Sequence, residues 1–200
     1  MITADRFAEG MLFAAYVDTM AENRAAFAAA FADFALPAAD HAALQTIAGP
    51  LRVLALTEDW CGDALLYLPV VGRLAADAGW ALHLFRRVAA PDVDAAFTGA
   101  GLRRAIPTVV FYDAAMQPVA HFVERPAQVT ADRQATIDAL AAAHPTVQVG
   151  VPNAAQSAAA RLITDPTLTA LRDARTAAWQ QAAVVEILGL LGAGGVQQAT

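Results

Sequence analysis

The chain has 200 residues, a net charge of −6 and a single cysteine, which suits one domain of moderate size with some additions. All 13 basic residues are arginine, and an acidic chain without lysine lacks the basic face that nucleic-acid phosphates require, so we expect no nucleic-acid partner. The mean hydropathy of +0.43 comes largely from 52 alanines, which favour helices, and no run reaches the roughly 18 apolar residues that a membrane span needs. We therefore expect no membrane partner, no internal disulfide and, without a basic and apolar leader, a cytoplasmic location.

The first 50 residues are predicted to be helical. Thr3 can cap a helix whose apolar face runs from Phe7 to Met20, and Phe27, Phe31 and Phe34 continue at helical spacing. Asp40 is predicted to cap a further short helix. This segment is expected to pack against the domain that follows it.

From residue 51 onward, short apolar runs alternate with helical patterns. The predicted strands are Leu51–Thr57, Trp80–Val88, Thr108–Tyr112 and Val119–Val123. The predicted helices are Ala64–Ala78 with Pro69 inside it, Asp92–Thr98, and Ala131–Ala143 capped by Thr130. A parallel crossover followed by an antiparallel hairpin predicts an α/β fold, with a mixed sheet and helices on both faces.

The last third of the chain is predicted to be a linker followed by helices. Residues 146–152 have a linker composition, Asn153–Ile163 and Thr167–Leu191 have helical patterns, and the tail from Gly192 is expected to fray. The predicted domains are an N-terminal helical extension over 1–50, an α/β domain over 51–145 and a C-terminal helical arm over 146–200. The apolar stripe of the arm can pack on the N-terminal helices or on a second subunit. A homodimer formed through the helical extensions is therefore one of the two possibilities.

Four features of the middle block are found together and in order. Trp60-Cys61-Gly62 follows the first predicted strand, Pro69 lies eight residues beyond the cysteine, and Ile106-Pro107-Thr108 begins the third strand at a spacing of 46 residues, from 61 to 107. This block resembles thioredoxin-fold proteins. The local sequence has Trp-Cys-Gly-Asp in place of the Trp-Cys-Gly-Pro-Cys motif, followed later by Arg125-Pro126. In these features it resembles a bacterial thioredoxin-like subfamily.

The resemblance implies a site as well as a fold. It implies a thioredoxin-like mixed sheet between helical extensions, with Cys61 as the catalytic residue and a cis bond before Pro107. The implied substrate groove consists of Trp60, Gly62, Asp63, Ile106, Pro107 and Thr108. Two positions depart from the family pattern, because Ala64 replaces the second cysteine and Ala55 replaces the buried aspartate.

The charges near Cys61 act in opposite directions on its thiol. A helix N-terminus lowers the thiol pKa, whereas a nearby carboxylate raises it. Glu58 and Asp59 are interpreted as solvated loop charges, and Asp63 as a first-turn helix acid. Arg104, in the loop before the proline, is a candidate partner for the thiolate. The histidines are scattered and do not occur at the spacing that metal ligands require, and the sequence has no nucleotide-binding motif. We therefore expect neither a metal nor a cofactor.

Two functions from different classes remain open. The first is monothiol thiol–disulfide exchange, in which an external thiol must resolve the mixed disulfide because Ala64 cannot. The second is a redox-inactive binding module that keeps the groove without turnover. The expected partner is a protein, or a low-molecular-weight thiol or disulfide.

Overall fold

The structure, a computed structural model, describes residues 2–149 and 157–196, with the side chains of 193–196 left aside. The chain packs as two units, Met1–Arg125 together with Ala183–Thr200, and Pro126–Ala182. The domain limits expected from the sequence stay a prediction. None of the helices in these ranges is both long and apolar enough to cross a bilayer.

The first unit contains the sheet and most of the helices. Its strands are β1 Met11–Leu12, β2 Arg52–Thr57, β3 Ala81–Arg86, β4 Thr108–Tyr112 and β5 Pro118–Val123. Its complete helices are α1 Ala4–Ala8, α2 Phe13–Asp18, α3 Arg24–Asp33, α4 Ala38–Leu44, α5 Gly62–Ala78 and α6 Pro91–Gly99.

The second unit contains α7 and the first part of α8. Their bounds are Ala127–Ala143 and Ala158–Val196, so α8 begins in the second unit and ends in the first. Within the second unit the indole of Trp179 donates a hydrogen bond of 3.0 Å to Asp132. This bond joins the two helices of the unit.

The five strands form one mixed sheet in the order β1-β3-β2-β4-β5. Strands β2 and β3 run parallel, and every other neighbouring pair is antiparallel. The parallel pair is connected through α5, and β4 and β5 form the hairpin that the sequence predicts. The expected fold class, a mixed sheet with helical additions at both ends, is confirmed.

The central strands are apolar along their length because side chains on both of their faces are covered. All five residues of β4 are buried, as are the last five of β2. On one face, Leu54, Leu56 and Val110 join a core cluster with Val93 and Phe97 of α6. A strand that is buried on both faces needs no polar alternation, which explains the uninterrupted runs in the sequence.

The predicted helix from Phe7 to Met20 is wrong, because a strand interrupts it. Met11 pairs with Leu84 at the edge of the sheet. At Gly10 the backbone passes so close to β3 that an added Cβ would lie 2.6 Å from the ring of Phe85. Glycine at this position therefore permits a close approach that directs the chain out of α1 and into β1.

Two other helices begin just after a proline instead of at the predicted capping residue. Helix α4 begins at Ala38 after Pro37, so Asp40 lies in its first turn instead of capping it. Helix α7 begins at Ala127 after Pro126, and the Thr130 hydroxyl donates back to the Pro126 carbonyl oxygen, 3.3 Å away. In both cases a proline just before the first turn sets a backbone angle that suits a helix start.

Helix α8 is one helix where two were predicted. It continues through Pro166 and past Gly192 to Val196, so the expected break before Thr167 is wrong and the helix extends beyond the predicted end at Leu191. The first part of the predicted helix over 153–163, residues 153–156, lies outside the described part of the chain.

Candidate functional site

Cys61 lies at the junction between the central strand and the longest helix of the first unit. Strand β2 ends at Thr57, and Cys61 is the N-cap residue of α5 with an extended backbone. Its amide donates to the Glu58 carbonyl oxygen at 3.3 Å, and its carbonyl oxygen accepts the first helical bond from Leu65 at 3.0 Å. The sulfur therefore lies at the positive end of the helix dipole.

The loop before β4 brings the predicted proline next to this cysteine. The Ile106–Pro107 peptide bond is cis. The Cys61 thiol donates to the carbonyl oxygen of Ile106, with 3.4 Å between the sulfur and that oxygen. The hydroxyl of Thr108 turns back to the Ala105 carbonyl oxygen at 2.7 Å, which closes this loop on itself.

The site exposes its indole and covers its sulfur. Trp60 is 51% exposed, whereas Cys61 is 8% and Ile106 7% exposed. Gly62 is exposed, Asp63 is half-buried, and Pro107 and Thr108 are buried. Of the residues predicted to form the groove, Trp60 and Gly62 therefore provide most of the surface that a partner can reach.

The surroundings of Cys61 favour the neutral thiol. Burial raises the pKa of the Cys61 thiol above its ordinary value, and the Ala64 amide, which lowers the pKa, does not offset this rise. The carboxylates of Asp63 and Glu124 raise the pKa further. Since the thiolate is the nucleophilic form, a raised pKa leaves a smaller nucleophilic fraction at neutral pH than an ordinary cysteine has.

An ionic network surrounds the sulfur on the side of β5. The guanidinium of Arg125 lies 2.5 Å from the Asp63 carboxylate and also pairs with Glu124, which pairs in turn with Arg103. Glu124 is fixed by its own backbone, because its amide donates to the Pro107 carbonyl oxygen at 2.7 Å. Glu124 has a positive φ of 68°, a value that is uncommon for a residue other than glycine.

Sequence reasoning missed the roles of Glu124 and Arg125. The pairing of Thr108 with Val123 places the residues after β5 beside Pro107. A signal was present, since a predicted hairpin between β4 and β5 brings the residues after its second strand back to the start of its first. Reading the register of that hairpin would have found both residues.

Arg104, the proposed partner of the thiolate, lies against a different group. Its side chain is 69% exposed and pairs with Asp94 of α6 at 2.8 Å. Within the described residues the structure records no contact between Arg104 and Cys61. Arg125 pairs with Asp63, two residues after Cys61, and is therefore the arginine that belongs to the surroundings of the thiol.

The interpretation of Glu58 and Asp59 as solvated charges is wrong. Glu58 is 5% exposed and accepts a hydrogen bond of 2.7 Å from the amide of Val88. Asp59 is 8% exposed, accepts from the amide of Ala21 at 2.9 Å and pairs with Arg86 at 3.1 Å. Their partners Ala21, Arg86 and Val88 are remote in sequence, so local sequence did not reveal the burial.

Hydrogen bonds decide the charge state of Asp59. Burial alone would raise its pKa, but the hydrogen bonds from Ala21 and from the Arg86 guanidinium outweigh burial and lower the pKa below its usual value. The carboxylate therefore stays ionised and connects the segment after α2 to the turn that carries Cys61.

The sequence contains no second cysteine to complete dithiol chemistry at this site. Ala64 and Ala55, at the two departures from the family pattern, are 2% and 0% exposed and fill their positions with methyl groups. Among the described residues, no three His, Cys, Asp or Glu side chains are grouped so that they could hold a metal ion.

Comparisons with known proteins agree with the geometry. The sequence model of the thioredoxin family matches residues 10–137. A protein of unknown function from Pseudomonas aeruginosa, PA1234, has a similar structure, with 23% identity, a TM-score of 0.64, and coverage of 96% of this chain and 99% of that one. An HIV 4E10 epitope-scaffold is similar at 22% identity and a TM-score of 0.62, over 96% and 99% of the two chains. No protein with a curated function matches the chain.

Proposed function

The chain belongs to the thioredoxin family, and from this premise we propose that it binds an extended polypeptide segment of a partner protein, with Cys61 held as a neutral thiol. The observation that carries the proposal is the environment of the sulfur. It is covered, it donates to the Ile106 carbonyl oxygen, and two carboxylates disfavour its ionisation. The groove around Trp60, Cys61 and Pro107 then serves recognition instead of turnover.

The exposed indole and the loop backbone support a peptide ligand. Trp60 offers a large, rigid apolar surface of the kind that dominates binding energy at interfaces. In the part of the chain that the structure describes, the amide of Ile106 has no recorded hydrogen-bond partner. An extended segment that lies along this loop can pair with that amide, as strands do when they add to a sheet edge.

The composition of the site supports a role without turnover. A thioredoxin that cycles on its own needs a second cysteine to release the mixed disulfide, and the chain has one cysteine in all. Alanine also takes the position of the buried carboxylate that the family pattern places behind the sulfur. A cytoplasmic setting, which keeps thiols reduced, suits a thiol that stays neutral and unpaired.

Monothiol exchange is the second candidate, because Cys61 caps the longest helix of the first unit. The Asp63 and Ala64 amides at that helix end lower the thiol pKa and so favour the thiolate. In this reaction the Cys61 thiolate attacks a partner disulfide, one sulfur of that disulfide leaves as a thiolate, and a mixed disulfide forms. An external thiolate then attacks the mixed disulfide, takes over the partner sulfur and releases Cys61 reduced.

Reduction of hydroxyethyl disulfide by glutathione tests the two candidates. We expect the wild-type chain and Cys61→Ser to give the same rate within about twofold, and alkylation of Cys61 by iodoacetamide to have a pH midpoint above about 8.5, the ordinary cysteine value. A wild-type rate far above that of Cys61→Ser, with a midpoint below neutrality, would establish exchange instead.

Recognition is tested separately on the immobilised chain. Proteins retained from a bacterial extract should be the same for the wild type and Cys61→Ser and should be lost with Trp60→Ala. Leu162→Ala, at another strongly exposed apolar residue, is the matched control and should retain them. Retention that depends on Cys61 and disappears with a reductant would contradict the recognition proposal. A second copy of this chain, contacting through the helical ends, is one partner that the same experiment would identify.

A further inference from the structure

A cavity in the first unit has none of the predicted groove residues in its lining. It has a volume of about 490 Å³ and lies between α6 and the β4–β5 hairpin. Its apolar lining includes Ile2, Phe97, Leu102 and Val110. A volume of about 300–1,000 Å³ and a mostly apolar lining are typical of sites that bind small molecules.

One tyrosine at this cavity presents a hydroxyl that no other described group engages. Tyr112 lines the cavity and is 4% exposed, and burial raises its pKa to about 12. Within the described residues its hydroxyl makes no recorded hydrogen bond. The Tyr112 oxygen is not among the unpartnered atoms that are fully shielded from solvent, so a ligand in the cavity can reach the hydroxyl and offer it an acceptor.

The polar end of the cavity lies at His121. This exposed residue of β5 lines both this cavity and a neighbouring one of about 360 Å³. The second cavity is lined by the charged side chains of Arg103 and Glu186, and by Leu190. Polarity therefore increases from Phe97 toward His121, which suits a ligand with an apolar body and one polar end.

We propose that this cavity binds a small apolar molecule with one terminal oxygen acceptor, a carboxylate or a carbonyl. Its apolar body lies among Phe97, Leu102 and Val110, and its oxygen accepts from the hydroxyl of Tyr112 and faces the imidazole of His121. This site is separate from the groove at Cys61 and does not depend on the function proposed there.

Calorimetric titration of the full chain tests the proposal with three probes of one chain length. Decanoate and 2-decanone carry the acceptor, and decylammonium carries only donors; all are used below the concentrations at which they form micelles. We expect saturable one-to-one binding of decanoate, of 2-decanone or of both, and at least tenfold weaker binding of decylammonium. The two acceptor probes distinguish an anionic from a neutral ligand.

Variants locate the bound probe. Tyr112→Phe should weaken the binding of the acceptor probe about two- to tenfold, which is the loss expected for one hydrogen bond. Tyr16→Phe, at a buried tyrosine outside the cavity, is the control and should bind the probe as tightly as the wild type does. Ala96→Leu, which fills the cavity from α6, should abolish binding even if Tyr112→Phe does not fold. Absence of saturable binding by every probe, equal affinity for decylammonium, or unchanged binding by Ala96→Leu would each overturn the proposal.

Discussion

At the scale of single residues, the charges around Cys61 control how readily its thiol ionises. Asp63 and Glu124 both oppose ionisation, and Arg125 pairs with both of them. Because a raised pKa means that the folded chain holds the thiol proton more tightly, the stability from this proton is full below about pH 8.5. It is lost as the pH rises through the higher folded value.

Asp63→Asn should make Cys61 more reactive. The substitution removes a carboxylate that raises the thiol pKa and leaves Arg125 without one of its two carboxylate partners, so both changes favour the thiolate. We expect iodoacetamide to alkylate Cys61 several-fold faster at pH 7.5, with the pH midpoint shifted downward. Asp77→Asn, at the far end of α5, is the matched control and should leave the rate unchanged. A slower or unchanged rate in Asp63→Asn would mean that Asp63 does not act on the sulfur.

At the scale of elements, the contacts of Asp59 connect the segment between α2 and α3 to the turn before α5. The carboxylate accepts from the backbone amide of Ala21, and the Asp59 carbonyl oxygen accepts from the side-chain amide of Asn23 at 2.8 Å. The guanidinium of Arg86 completes the arrangement and also stacks over the ring of Tyr16. Three stretches of chain that are remote in sequence thus meet at one side chain.

Asp59→Ala should destabilise the chain by about 3 kcal/mol in urea unfolding, because the Arg86 charge loses its carboxylate partner and the Ala21 amide loses its acceptor. Asp18→Ala removes an exposed ion pair with Arg24 and should cost less than about 1 kcal/mol. Since the Asp59 pKa is lowered, its contribution is present above about pH 3.9 and is lost as the pH falls through the lower folded value. Equal losses in the two variants would contradict the assigned role.

Two helical glycines should respond in opposite directions to alanine. At Gly72 in α5 an added Cβ would lie 2.7 Å from the ring of Phe13, and that ring is held against Phe27 and Phe31. Gly72→Ala should therefore cost about 1–3 kcal/mol through overpacking. At Gly189 in α8 nothing lies within 4 Å, so Gly189→Ala should stabilise by up to about 1 kcal/mol. Thermal unfolding measures both, and stabilisation by Gly72→Ala would show that Phe13 moves aside.

At the scale of the whole molecule, the N-terminal segment forms part of the fold of the first unit. It supplies the edge strand β1 and the buried side chains of Phe7, Tyr16 and Phe27. The match to the thioredoxin family also begins at residue 10, inside the segment that the sequence predicts to be an extension. The sheet is therefore not complete without residues that precede β2.

A fragment that begins at residue 51 should fail to fold cooperatively. Loss of the N-terminal segment would expose β3 and Phe85, and it would leave Asp59 and Arg86 without the residues that cover them. We expect no sigmoidal urea transition and no near-ultraviolet circular dichroism, both of which the full chain should have. A cooperative transition with the midpoint of the full chain would mean that the segment is an accessory.

Patterns within one element were sufficient to predict most of the sheet, and contacts between distant elements were not. Strand β4 was predicted over its observed range because it is a continuous apolar run, and Cys61 and Pro107 were predicted as neighbours from the family resemblance. Strand β1 escaped prediction because two residues carry no periodicity and its pairing depends on Gly10. The burial of Asp59 and the role of Arg125 depend on partners that only the folded chain brings close.

The three tryptophans differ in exposure, so the intrinsic tryptophan fluorescence of the chain can report on the surroundings of Cys61. Trp60 is 51% exposed beside Cys61, whereas Trp80 and Trp179 are 7% and 3% exposed. A dissolved quencher such as acrylamide therefore reaches one indole of the three, and that indole borders the sulfur. Any molecule that occupies the groove, or any adduct on the sulfur, can be followed by its effect on this accessible fraction of the emission without attaching a dye.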